Sequence, residues 1–258
     1  MSFFDRVTDC RLAVVFLTIL LSGCLSPDRQ TIAAQAAEPA PPPSKNITIA
    51  VLGATGMVGG FVLQQALLEG YDIRALARTP DKLDALKDRI TIIQGDARDP
   101  LAIEELLTGS DVIVSALGPV KADGAAAKMI SSTATEHIIG LMPKYDIKRY
   151  LVVSGAAVAV PGDNRGLVGW LMQKMVSVGL RDTLQDKQQE YQLLADSDIE
   201  WTLVRCPIIS AEPFSQPPIA SLETPTSFRL RAGELAYFLI EQLHSKDFIR
   251  KSPFLQSR

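Results

Sequence analysis

With three cysteines in 258 residues, the chain has no disulfide framework to organise it. Cys10 and Cys24 fall near the N-terminus, so only Cys206 stands in the part that reads as a folded domain, where a lone thiol acts as a small apolar filler. Histidine is scarcer still. His137 and His244 have no cysteine, histidine or carboxylate at ligand spacing, so no metal site is expected. A formal net charge of -3 gives no basic signature, which argues against a nucleic-acid partner. No internal repeat is evident. The N-terminal apolar run Leu12–Leu21 is about half the ~20 residues that a membrane-spanning helix needs.

That short run nevertheless carries a message. Arg6 and Arg11 precede it, and it ends in Leu21-Ser22-Gly23-Cys24. A positive start, a short apolar core and small residues before a cut describe a secretory signal over residues 1–23, with an uncleaved anchor as the alternative. The Leu21–Cys24 end resembles the lipobox of bacterial lipoproteins. That resemblance implies lipid on Cys24, and Leu25 in place of Asp implies the outer membrane, facing the periplasm. Residues 24–45 follow as an Ala/Pro-rich tether, including Ala40-Pro41-Pro42-Pro43, which favours extended, semi-rigid chain. Residues 46–258 are long enough for one sizeable core and too short to demand two. A start at the next methionine, Met57, would delete the first strand of that domain.

The domain opens with ITIAVLGATGMVGGFVLQQALLEGYDIRALAR, Ile47 to Arg78, which reads as strand, glycine-rich turn, helix and second strand. Gly53 turns the chain at the strand end, Gly56 leaves room for a pyrophosphate, and Gly59 lets the helix pack against the sheet. The turn Gly53, Ala54, Thr55, Gly56, Met57, Val58 and Gly59 would then offer first-turn amides to the phosphates, where the helix dipole favours negative charge. A dinucleotide cofactor is expected. The tip of the second strand is Ala77-Arg78-Thr79, without the Asp or Glu that holds a ribose 2′-hydroxyl. Arg78 therefore points to a 2′-phosphate, hence NADP(H) ahead of NAD(H), unless it is an ordinary loop charge.

Beyond it, strands and helices alternate: strand Asp72–Ala77, a helix from Pro80, strand Ile90–Ile93, a helix from Pro100 and strand Asp111–Ser115. A helix over Ala125–Met142 and the strands Arg149–Ser154 and Glu200–Arg205 follow. This spacing predicts an α/β fold, a single Rossmann-like doubly wound parallel sheet with helices on both faces. Ligands in such sheets sit at the carboxyl ends of the strands. Those ends carry Gly95-Asp96-Ala97, Ala116-Leu117-Gly118 and Ser154-Gly155. Asp96 could accept from an adenine amine or simply form a turn, and Ala116 to Gly118 are small enough for a ribose to lie against the backbone. Trp201 alternates with Leu203 and reads as core. Trp170 reads as packing or as a pocket lid. Ala211–Thr226, with four prolines, reads as an irregular loop on the substrate side.

GATGMVG, the Arg after the second strand, QGDARD, VSALGP, YLVVSG and WTLVRCP together resemble the atypical short-chain dehydrogenase/reductase superfamily. Within it, the chain is most similar to the NAD(P)H-binding branch with biliverdin-IXβ/flavin reductase and NmrA-like proteins. The resemblance implies a nicotinamide cofactor approached by Pro207, and an acceptor near Ser154, which could bond the substrate or the nicotinamide amide. Lys187 falls where the flavin reductase has a histidine, so the resemblance makes it a candidate catalytic cation able to draw an acidic substrate; as a bare helix residue it would be a solvated charge. Typical superfamily members use Tyr and Lys four residues apart on one helix face. None of Tyr71, Tyr145, Tyr150, Tyr191 or Tyr237 has that lysine. The expectation is hydride transfer to a small conjugated acceptor, flavin- or biliverdin-like, without acid catalysis by a tyrosine. The branch also holds non-catalytic scaffolds, redox sensors and assembly factors, which leaves open a protein partner.

Overall fold

In the computed structural model, residues 45–119, 124, 128–163, 180–225 and 227–258 are described. The signal, the lipidation site at Cys24, the tether up to Ser44, residues 125–127, Trp170 and Thr226 lie outside them, and the helix expected over Ala125–Met142 starts only at Ile130, after a turn at Lys128 and Met129.

The β-branched runs build a sheet that is almost entirely parallel. Its strands are β1 (Thr48–Leu52), β2 (Asp72–Ala77), β3 (Thr91–Gln94), β4 (Val112–Ser115), β5 (Arg149–Gly155) and β6 (Glu200–Cys206), extended by β8 (Ile219–Ser221) and β10 (Phe254–Gln256). The spatial order is β3-β2-β1-β4-β5-β6-β10-β8, with a separate pair β7 (Ile208–Ser210) and β9 (Arg229–Arg231). All pairings in the large sheet are parallel except β10 with β8. The direction of winding reverses between β1 and β4, which creates the crevice where such sheets bind ligands.

Both faces of the sheet are covered, as an all-parallel sheet requires. Ile49 and Val51 of β1 pack into one core with Val62, Leu63 and Ala66 of α1 (Met57–Leu68) and Leu235 and Leu239 of α5 (Ala232–Glu241). Ala50 and Leu52, pointing the other way, join Ile103 and Leu106 of α2 (Pro100–Leu107), Ile138 of α3 (Ile130–Leu141) and Leu194 of α4 (Arg181–Asp196).

Three expectations need correction. The helix from Pro80 is a 3-10 helix, Pro80–Leu86, and Leu83 is its one buried residue. So little apolar surface gives a longer α-helix no stripe to bury. The third strand is shifted by one residue, to Thr91–Gln94. The Ala211–Thr226 loop contains a strand, β8, because Ile219, Ala220 and Ser221 find antiparallel partners in Gln256, Leu255 and Phe254. That pairing is far away in the chain, where local pattern carries no signal.

Candidate functional site

At the end of β1, Gly53 has φ +74°, and a Cβ there would lie 2.6 Å from the Ala116 carbonyl oxygen. The turn and the β4 end are thus pressed together. A Cβ on Gly59 would fall 2.1 Å from the Gly53 carbonyl oxygen, so α1 sits hard against the turn that precedes it. Gly56, in extended conformation, is the N-cap of α1 and makes no side-chain cap, and no acidic residue occupies the first turn. The first amides of a helix have no acceptor within it. Here nothing negative competes for them, and Thr55, Gly56 and Met57 are exposed. These features fit a pyrophosphate.

Across the crevice, the β2 and β3 tips come together. Arg78 is exposed after β2. Asp96 accepts hydrogen bonds from the Arg98 backbone amide at 2.9 Å and from its guanidinium at 2.6 Å and 2.8 Å. That guanidinium holds the Asp96 carboxyl down to about 2, the Arg98 amide and the Arg78 charge adding to the effect. Asp96 is therefore an ionised turn-former with its oxygens already engaged. Ala97 is buried beneath it.

The ends of β4, β5 and β6 frame a cavity of about 260 Å³. Leu117, Gly118, Val153, Pro207 and Ile209 make it mainly apolar, and Ser154 and Lys187 supply its buried polar groups. Ser154 is 4% exposed, and its Oγ has no hydrogen-bond partner among the described residues. A buried hydroxyl without a partner loses about 1–3 kcal/mol of solvation. Such an atom on a cavity wall is a ready contact for a ligand.

Lys187 is not a solvated helix charge. It is 6% exposed, and Nζ donates to the Val153 carbonyl at 3.0 Å and to Glu190 Oε2 at 2.8 Å. Glu190 is fully buried; burial raises its pKa while the Lys187 ammonium pulls it back. Thr135 Oγ1 donates to Glu190 Oε1 at 3.2 Å and stands 2.9 Å from the Tyr150 hydroxyl. Thr135 has one proton and gives it to Glu190, so Tyr150 donates to Thr135. Burial, then Glu190, pushes the Tyr150 hydroxyl well up, so it stays protonated. The Lys187 charge reaching the cavity is thereby matched by Glu190, which weakens its pull on an acidic substrate. Cys206 borders the same cavity as a buried thiol whose pKa is raised by desolvation, in keeping with a filler.

The structure thus gathers the predicted residues in two places: Gly53 to Gly59 with Ala116 at the crevice, and Leu117, Gly118, Ser154, Lys187 and Pro207 around the cavity. Arg78, Asp96 and Ala97 mark the far corner of the crevice. Sequence reasoning missed Glu190, Thr135 and Tyr150, and it missed Asp186, whose carboxylate accepts from the Ser131 and Ser132 amides at 3.0 Å and 2.8 Å at the start of α3. A signal existed for Lys187. It lies on the stripe Leu184, Lys187, Tyr191 and Leu194, the inward face of α4. His137 is half-buried in α3, and His244 Nε2 bonds the Tyr71 hydroxyl at 2.9 Å. Among the described residues no cluster could hold a metal.

A parallel sheet with a glycine turn at its switch point and a cavity at its strand ends defines a Rossmann-type nucleotide-binding domain. The chain belongs to the NAD(P)H-binding family, whose profile matches residues 53–246. Among curated relatives, cinnamoyl-CoA reductase 1 of Petunia hybrida is 23% identical over 125 residues, 45% of this chain and 38% of the relative. The photosystem II assembly factor Ycf39 of Cyanophora paradoxa is 29% identical over 109 residues, 42% of this chain and 34% of the relative. The chain thus spans well under half the length of either. Among solved structures, ChuY, an anaerobillin reductase from Escherichia coli O157:H7, superposes with a TM-score of 0.68 at 16% identity, covering 81% of this chain and 97% of that one. A short-chain dehydrogenase/reductase of Veillonella parvula in complex with NADP superposes with a TM-score of 0.64 at 19% identity, covering 82% and 94%. At these identities the likeness is one of fold.

Proposed function

We propose that the chain is an NADPH-dependent reductase of a small conjugated acceptor, flavin- or biliverdin-like. The observation that carries this reading is Ser154, a buried hydroxyl without a partner on an apolar cavity at the strand ends. Bound NADPH would supply a hydride at that cavity. The first-turn amides of α1 would hold the pyrophosphate, and Arg78 would pair with the 2′-phosphate. Leu117, Gly118 and Pro207 exclude water from a flat ring, and Ser154 Oγ orients it by one hydrogen bond. The acceptor gains the hydride and one proton, and solvent at the cavity mouth supplies the proton. Lys187 keeps one donor beyond its bonds to Val153 and Glu190, which can fix an acceptor carbonyl.

We further place the protein in the cell envelope, held by lipid on Cys24 at the outer membrane. That location favours a second reading, because free NADPH is not expected there: a non-catalytic NAD(P)-binding scaffold or assembly factor. The likeness to an assembly factor supports it. Stopped-flow oxidation of NADPH by the purified chain with flavin, biliverdin or quinone separates the two. The reductase reading expects turnover with at least one acceptor. It also expects Ser154→Ala to be about tenfold slower through loss of a ~1.4 kcal/mol contact, with Phe at Tyr150 or Tyr191 retaining activity. Nucleotide binding without turnover of any acceptor moves the assignment to the scaffold.

A further inference from the structure

A second cavity, of about 450 Å³, is lined by Val160, Pro161, Gly162 and Asp163 of the segment that follows β5. Tyr191, Trp201, Arg205, Arg250, Lys251 and Ser252 are among its walls. The segment 250–252 runs beside β6, with the Arg250 amide on the Trp201 carbonyl at 2.7 Å and Arg205 Nε on the Ser252 carbonyl at 2.9 Å. Trp201 and Ser252 therefore stand toward opposite ends of the cavity.

Two residues of its walls carry buried donors with no partner among the described residues. Trp201 Nε1 and Ser252 Oγ have no hydrogen-bond partner, although the residues are 4% and 3% exposed. Buried polar groups in folded proteins are nearly always satisfied, so two orphans on one cavity call for an acceptor inside it. Charge points the same way. Arg205 is fixed by Asp163 at 2.6 Å and lies 3.7 Å over the Phe254 ring, so it contributes little net charge. Arg250, at the rim, has only a 3.6 Å contact with the exposed Asp198, and Lys251 rests on the Asp247 carbonyl at 2.9 Å. The exposed Asp198 offsets part of the Arg250 charge, whereas Lys251 has no carboxylate partner among the described residues, so the wall these two cations share keeps a positive bias. Between the two ends the walls are the Tyr191 and Trp201 rings, Val160, Pro161, Ala195 and Leu222.

We infer that this cavity binds a small carboxylate with an elongated apolar body. The carboxylate sits at the Arg250, Lys251 and Trp201 end, and an oxygen at the far end can reach Ser252. Inorganic anions lack the apolar body, and water satisfies the donors without using the walls or the charge. The site does not depend on nucleotide chemistry at the other cavity.

Calorimetric titration of the full chain with octanoate and with 4-phenylbutyrate tests this, their neutral amides serving as controls. In a Trp170→Phe background, emission from Trp201 gives a second readout. The expected result is saturable binding of at least one acid with a change in Trp201 emission, undiminished by saturating NADPH. The matching amide should bind at least tenfold more weakly, as should the acid to an Arg250→Gln, Lys251→Gln double variant. These two substitutions are exposed and leave the fold intact. No saturable binding of either acid, equal binding of acid and amide, or unchanged affinity in the double variant would each overturn the site.

Discussion

Arg78 shows how much rests on one side chain at a strand tip. It follows β2, its charge reaches Asp96, and no carboxylate replaces it at the ribose position. A charge-assisted phosphate contact is worth roughly 1.5–3 kcal/mol. Arg78→Ala should therefore weaken NADPH by about ten- to a hundredfold while NADH changes little, as titration of both nucleotides would reveal. Equal losses would remove Arg78 from the phosphate site. The same scale shows what sequence can tell. Gly53 and Gly59 were legible because their need is local: a positive φ at one and a backbone contact at the other, both set within seven residues. Glu190 was not. Its meaning depends on Thr135 and Tyr150, from a helix and a strand that only the fold brings to it.

At the scale of elements, α4 ties the site to the sheet. Its inward face carries an ion pair, Lys187 with Glu190, where apolar side chains would otherwise pack, and Asp186 caps the neighbouring helix α3. Removing one member of a buried pair leaves the other without compensation, at about 3–5 kcal/mol. Lys187→Met should cost that much near neutral pH. The penalty has a defined sign. Without the ammonium, Glu190 in the folded state takes up its proton more readily than the ordinary 4.5 of a glutamate, so the unfolded chain ionises first. Stability lost at pH 7 should return progressively as pH falls toward 4.5, and the difference from the parent chain should vanish below that value if Glu190 is the cause. Urea unfolding at several pH values checks this; a loss that does not vary with pH would point to packing alone. The α4 pattern was half legible: Leu184, Tyr191 and Leu194 announce the stripe, while the lysine within it reads as a surface charge until its partner is known.

Across the whole molecule, six parallel strands with helices between them were foreseeable from alternation alone. The far edge was not. β10 enters between β6 and β8, pairing Phe254 with Arg205 on one side and with Ser221 on the other. Deleting residues 253–258 should leave β6 as an open edge and β8 without a partner. Thermal unfolding of that variant should broaden and move down by several degrees, with more aggregation, while the β1–α1 turn still binds nucleotide. An unchanged midpoint would show the edge to be dispensable.

The position of β10 also sets an order of events in time. β10 is made after both β6 and β8, so until it pairs the chain carries a strand with no neighbour and an unclosed flank on β6. The β1 to β4 half has all its strands once Ser115 is made, whereas the β6 flank must wait for β10. Over that interval the growing protein exposes backbone that another chain could pair with, so β10 acts as the latch that ends its vulnerability to misassembly.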